Sequence, residues 1–251
     1  MTDNDNWIPT DKNMFSNTAG RLVKVVRVGE MISNEEVIIR TMYLDKPLQY
    51  YLDELASANS TPGGGSAAAL SGAMGAALAS MVARLTLGKT DYADAAWMQP
   101  EIEALLQQTE KLRERFQQLM QEDIDAYGRL SASFKMPRTT PEEVNARSKS
   151  IQAHLVEAAL VPLEMAECGS SLVKCCCRIA EIGNVNVLSD VATGALLASS
   201  AGAGAAWMVR ANLRAMKDLE LVEVLSKRLS TALDEIAEYS QQVTSIVGGR
   251  A

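Results

Sequence analysis

Two long stretches without a single charged side chain, Ser66 to Ala83 and Val191 to Val209, restrict this chain more than any other feature. As helices, both are long enough to cross a bilayer. Yet they are built largely from Ala, Gly and Ser, with few Leu or Ile, and no polybasic flank follows either one. Small side chains let neighbouring helix axes approach closely. The two stretches therefore read as buried helices of a soluble protein, at a bundle centre or a subunit interface. Composition points the same way. Hydrophobic residues make up 47% of the chain and aromatics only 5%, so alanine and aliphatic side chains must fill the core. That suits close-packed helices better than a β-sandwich.

The remaining periodicity is helical too. Leu48, Tyr51, Leu52 and Leu55 mark a first helix after Asp45, a plausible N-cap, with Pro47 in its first turn. Pro62 and Gly63 to Gly65 interrupt the chain, and a second helix runs from near Ser66 to about Leu87. A third starts near Pro100 and carries the stripe Ile102, Leu105, Leu112, Phe116, Leu119, Tyr127, Leu130 and Phe134. Thr140, Pro141 and Glu143 form a capping box with proline at N1. The helix they open is expected to kink or break near Pro162 and to end at Gly183. Ser189 or Asp190 should cap the next, and a last amphipathic helix runs from Val222 to Ile246. Residues 1–41 differ: the first twenty are polar, and Arg21 to Val28 and Glu35 to Ile39 alternate loosely, as in a short hairpin or a poorly ordered extension. The expected architecture is all-α, a single up-and-down-like bundle over 42–251 with a short non-helical N-terminal extension.

Several functions are disfavoured. A net charge of −7 argues against a nucleic-acid surface, although a local cation cluster could still meet a small anion. Cys175, Cys176 and Cys177 would point about 100° apart on a helix and cannot converge on one metal ion. The four cysteines read as reduced thiols of a cytosolic protein. The acidic N-terminus does not resemble a signal peptide. His154, the only histidine, leaves a Ser-His-Asp triad or a His-rich metal site little to stand on. Ala83 to Thr90 fits a relaxed P-loop pattern, but an Ala-rich helix stands where a strand is required. Gly88 reads better as a helix C-cap.

Some positions do carry chemistry. Asp123 interrupts the apolar stripe of the third helix midway between Leu119 and Tyr127, so it faces inward. A buried carboxylate must be paired, capped by hydrogen bonds, or used as an acid, base or counter-charge. Gly63, Gly64, Gly65 and Ser66 lead into a helix N-terminus whose free N–H groups favour an anion or a carbonyl oxygen; a plain tight turn fits equally. Asn184, Asn186, Ser189 and Asp190 crowd one helix junction, more polar groups than capping alone uses. Arg210, Arg214 and Lys217 follow the second uncharged stretch and could meet a carboxylate tail.

Together, Thr61 to Ser66 before the Ala-rich helix, Leu85 to Lys89, the Asp123 region, Lys135 to Pro137, Val161 to Leu163, and Gly183 to Asp190 resemble the formiminotetrahydrofolate cyclodeaminase / methenyltetrahydrofolate cyclohydrolase family. The likeness runs from about Leu44 to Arg250. It implies an all-helical homodimer that binds a folate near the subunit interface, with no metal or other cofactor; the cysteines, charge and composition add the expectation of a cytoplasmic protein with no membrane or nucleic-acid partner. It implies ring opening of methenyltetrahydrofolate by water, or ammonia-releasing cyclisation of formiminotetrahydrofolate; a catalytically silent folate- or protein-binding dimer is the other reading. The resemblance assigns acid/base roles to Asp123 or Asp190. It assigns substrate contacts to Gly63, Gly64, Gly65, Ser66, Tyr127, Asn184 and Asn186, with Lys89 and Arg210 toward the glutamate tail. Relatives tend to carry Asn where this chain has Met208.

Overall fold

The computed structural model describes residues 14–16, 22–24, 43–88 and 95–250. Chain contacts divide it into two units, 1–41 and 42–251. In the first, β1 (Met14–Ser16) pairs antiparallel with β2 (Leu22–Lys24), Phe15 opposite Val23. The strand expected after Arg21 thus starts at Leu22, while Glu35 to Ile39 lies outside the described residues.

Among the described residues of the second unit the regular structure is α-helix, with 3₁₀ turns at Tyr43–Asp45 and Val185–Val187. Its helices are α1 (Leu48–Leu55), α2 (Gly64–Thr86), α3 (Ala95–Phe134), α4 (Pro141–Ile182), α5 (Leu188–Leu213) and α6 (Leu219–Arg250). Ser80 Oγ donates to Thr109 Oγ1 at 2.8 Å, and Gly72 faces Phe116, so α2 and α3 run antiparallel. Ion pairs Arg115–Glu164, Arg129–Glu157 and Arg178–Glu101 fix α3 and α4 antiparallel along their length. α5 returns against both α4 and α2, closing a four-helix up-and-down bundle. α6 packs outside on α4 and α5. It runs parallel to α4, with Arg228 on Glu167, Glu235 on Lys174, and Arg250 donating to the carbonyls of Ala180 and Gly183 at the α4 terminus.

The uncharged stretches become α2 and α5, the two helices among the described residues long and apolar enough to span a membrane. They lie side by side because their surfaces are nearly bare backbone. A Cβ on Gly75 would sit 2.7 Å from the Gly194 carbonyl, so only glycine permits this approach. One face of the pair is core. The other leaves Met74, Met81, Leu196 and Trp207 exposed.

Helix boundaries differ from expectation in four places. α1 begins at Leu48 with Pro47, not Asp45, in the cap position. Proline disfavours helical backbone at Lys46, so Asp45 closes the preceding 3₁₀ turn instead. α3 starts at Ala95 and takes Pro100 into its second turn, where only one N–H is lost. α4 passes Pro162 without a break. α5 starts at Leu188, ahead of Ser189 and Asp190, with Val187 at the cap. The Thr140 capping box is formed, with Glu143 N–H donating to Thr140 Oγ1 and the Glu143 carboxylate accepting from Thr140 N–H. Gly88 has φ +74°, the left-handed conformation of a helix-terminating glycine. All four cysteines are free, and burial pushes the Cys168 thiol up to about 12 and Cys175 to about 11. Among the described residues no three His, Cys, Asp or Glu side chains converge as a metal site.

Candidate active site

Gly63, the N-cap of α2, has no side chain with which to cap the helix. An N-cap oxygen normally accepts the N–H of the second or third helical residue. Here the oxygen comes from another helix: the carboxyl of Asp123, on α3, accepts the N–H of Ser66. Gly65 makes room for it, since a Cβ there would lie 2.2 Å from Asp123 Oδ1. Ser66 Oγ donates to the Gly63 carbonyl at 2.9 Å and lies 3.2 Å from the hydroxyl of Tyr51, itself buried. This fixes the first turn of α2 and presents the Ser66 N–H to the carboxyl.

No Arg or Lys among the described residues pairs with Asp123. Burial pushes its pKa from 3.8 up to about 6, and the Ser66 N–H only partly offsets this. The carboxyl opens onto a cleft of about 230 Å³ between the α2 N-terminus, mid-α3, α4 and the end of α5. Gly63, Gly64, Gly65, Tyr127, Met208 and Asn212 line it. A carboxyl so placed is mostly ionised at neutral pH yet exchanges protons readily. A larger hollow of about 470 Å³ between α4 and α6 is less suited to chemistry, because its acids Glu167 and Glu235 are held by Arg228 and by Lys174 and Ser170.

The structure brings Gly63, Gly64, Gly65, Ser66, Asp123 and Tyr127 together. It sets Asn184, Asn186 and Asp190 apart. Asn184 is buried, its N–H donating to Thr86 Oγ1 at 3.0 Å and its Nδ2 to the Leu85 carbonyl at 3.2 Å. Its Oδ1 accepts the N–H of Asn186 at 3.1 Å. The asparagine thus ties the α5 approach to the C-terminal end of α2. At about 1.5 Å per residue, that end is roughly 33 Å from the glycine turn. Asp190 lies in the first turn of α5, at the same far end. Arg210 lies over the Trp207 ring, 5.4 Å from its centroid, and lines a neighbouring hollow with Asp234. Lys89 lies outside the described residues. Asn212 lines the cleft but is absent from the sequence reading; its only signal is its position four residues after Met208, on the same helix face.

Fold and cleft define a class: an all-α bundle domain in which a carboxyl from one helix caps another helix inside a solvent-open cleft. The sequence profile of the family described as formiminotransferase-cyclodeaminase matches residues 47–231, and the chain belongs to that family. It is 34% identical over 203 residues to a methenyltetrahydrofolate cyclohydrolase of Methylorubrum extorquens, covering 81% of this chain and 96% of that protein. It is 33% identical over 194 residues to the formimidoyltransferase-cyclodeaminase of Rattus norvegicus, covering 76% of this chain but only 35% of that longer protein. Among solved structures, formiminotetrahydrofolate cyclodeaminase from Thermotoga maritima superposes with a TM-score of 0.74 at 27% identity, covering 82% of this chain and 98% of that one.

Proposed function

We propose that this chain opens the ring of methenyltetrahydrofolate with water to give formyltetrahydrofolate, and that Asp123 moves the protons. The observation that carries this reading is the Asp123 carboxyl, held half-desolvated on a helix N-terminus with its pKa at about 6. The 34% identity along nearly the whole cyclohydrolase relative supports the substrate class.

The chemistry follows from the carboxyl. The methenyl carbon sits between two nitrogens that share a positive charge, and an ionised Asp123 is its counter-charge. Water adds to that carbon, and the carboxylate takes the proton the water must lose. The resulting tetrahedral carbon bears one hydroxyl and two nitrogens. Protonated Asp123 then delivers its proton to the departing ring nitrogen as the C–N bond breaks, and the hydroxyl proton leaves to solvent as the formyl C=O forms. Only water and protons move, so the step calls for no redox group. Tyr127 and the glycine turn would flank the ring. The exposed, uncharged faces of α2 and α5 suit a homodimer contact between copies of this chain.

Loss of the methenyltetrahydrofolate absorbance tests the proposal: the chain should exceed the uncatalysed rate, and Asp123→Asn should abolish the excess. The Thermotoga relationship supports a second reading, the cyclodeaminase step. There the same carboxyl would protonate departing ammonia, and ammonia release from formiminotetrahydrofolate separates the two. A chain that bound folate with no rate to lose in either assay would be a binding scaffold.

A further inference from the structure

Asn212 projects from α5, one turn beyond Met208, into the wall of the Asp123 cleft. Its amide is pinned by both of its protons. Nδ2 donates to the Ala158 carbonyl of α4 at 2.7 Å and to the Met208 carbonyl of its own helix at 3.0 Å. An amide nitrogen has two hydrogens, so its donor capacity is complete and the group cannot flip. The other end is different. Oδ1 takes no hydrogen bond from any described residue, yet it is not among the buried polar atoms lacking partners, of which there are none. It is therefore open to the cleft, an acceptor fixed in direction by contacts to two helices.

The rest of the cleft makes this acceptor distinctive. The cleft's other polar side chains, Ser60, Thr61, Asp123 and Tyr127, come from the glycine turn and α3, while Ala158 of α4 and Met208 and Ala211 of α5 offer no comparable hydrogen-bonding group. Met208 closes over Gly64, with its Cε 3.5 Å from where a Cβ would stand. On the α5 wall, then, one polar atom is held rigid beside an apolar thioether. Such a pair suits a flat heterocycle that stacks on the sulfur and presents an N–H edge to the acceptor. A reduced pterin has that shape, with N–H donors at its 2-amino group, N3 and N8.

We propose that Asn212 is a substrate-binding residue whose Oδ1 accepts a hydrogen bond from the 2-amino group or the N8–H of the pterin and so sets the ring's orientation relative to Asp123. The proposal rests on the folate reading of the cleft, and the test separates the two. Binding of tetrahydrofolate, 2-desamino-tetrahydrofolate and 8-deaza-tetrahydrofolate is measured by calorimetry with the unaltered chain and with Asn212→Ala. If Oδ1 reads the ring, the unaltered chain loses about tenfold in affinity for at least one analogue. Asn212→Ala binds tetrahydrofolate about tenfold more weakly and no longer distinguishes that analogue. If the losses from analogue and variant simply multiply for both analogues, Asn212 does not touch these groups and the assignment falls while folate binding stands. If the unaltered chain does not bind tetrahydrofolate, the folate reading fails and takes the assignment with it. Because Asn212→Ala also unties α5 from α4, a structure of the unaltered chain with tetrahydrofolate gives an independent reading. Oδ1 must lie within about 3.5 Å of the 2-amino nitrogen or of N8, and a greater distance overturns the proposal.

Discussion

Replacing Asp123 with asparagine keeps the shape of the side chain and an oxygen able to accept the Ser66 N–H, but removes the charge. The folded protein holds this proton more tightly than an unfolded chain would, with a pKa of about 6 against 3.8. At 1.36 kcal/mol per tenfold change, the ionised carboxylate costs the native state on the order of 3 kcal/mol at neutral pH. The sign follows from linkage: between about pH 4 and pH 6 the native state binds more protons than the unfolded one, so this contribution favours folding in acid and is lost as pH rises through 6. Asp123→Asn should therefore be more stable than the parent at pH 7, by about 2–3 kcal/mol. For a domain of this size that is roughly 5–10 °C in melting temperature. The advantage should shrink steadily below pH 6 and vanish near pH 4. Thermal melts of both proteins across pH 4.5 to 8 measure the difference directly, and common acid effects cancel. The reasoning is refuted if the variant melts lower at pH 7, because the carboxylate would then be stabilised by a partner rather than penalised by burial. A gain in stability with a loss of about 10²–10⁴ in turnover would mark the residue as retained for chemistry.

Three further outcomes follow. In the cyclohydrolase assay, kcat/KM should fall about tenfold per pH unit below pH 6, as the Asp123 carboxylate is protonated and can no longer act as base; a flat profile to pH 5 would exclude it. Gly65→Ala places a methyl 2.2 Å from Asp123 Oδ1, so it should expel the carboxyl and depress the rate as far as Asp123→Asn does in the same assay; a rate equal to the parent's would refute this. If the uncharged faces of α2 and α5 form the proposed homodimer contact, Leu196→Glu, at a 64% exposed position there, should leave the folded monomer intact and weaken self-association more than a hundredfold by light scattering, since each copy would bury an unpaired charge; an unchanged mass, or a monomeric parent, would refute that contact.

Much of the bundle was legible because its signals are local. The Thr140 capping box needs four residues, the Asp123 interruption nine, and the compositions of α2 and α5 about twenty each. The glycine turn and Asp123 were readable separately, and the inward face of α3 implied that the acid was enclosed. What could not be read was where distant segments meet. Asn184 N–H finds its acceptor 98 residues away on Thr86, so its amide is occupied at the helix junction, beyond any view limited to neighbouring positions. Asn212 was silent for the same reason, because its partner carbonyl on Ala158 is 54 residues distant. Local rules also misplaced two caps and missed that of α2. Pro47 excluded Asp45, Val187 pre-empted Ser189, and Gly63 left a vacancy that only a long-range carboxyl could fill.

That borrowed cap couples occupancy of the cleft to the backbone of α2. A cationic ligand that draws the Asp123 carboxyl toward itself must loosen its hold on the Ser66 amide, while one that leaves it in place shields the amide from solvent. The deuterium uptake of a single peptide group, 57 residues from the acid in sequence, would then register each stage of turnover without any label on the substrate.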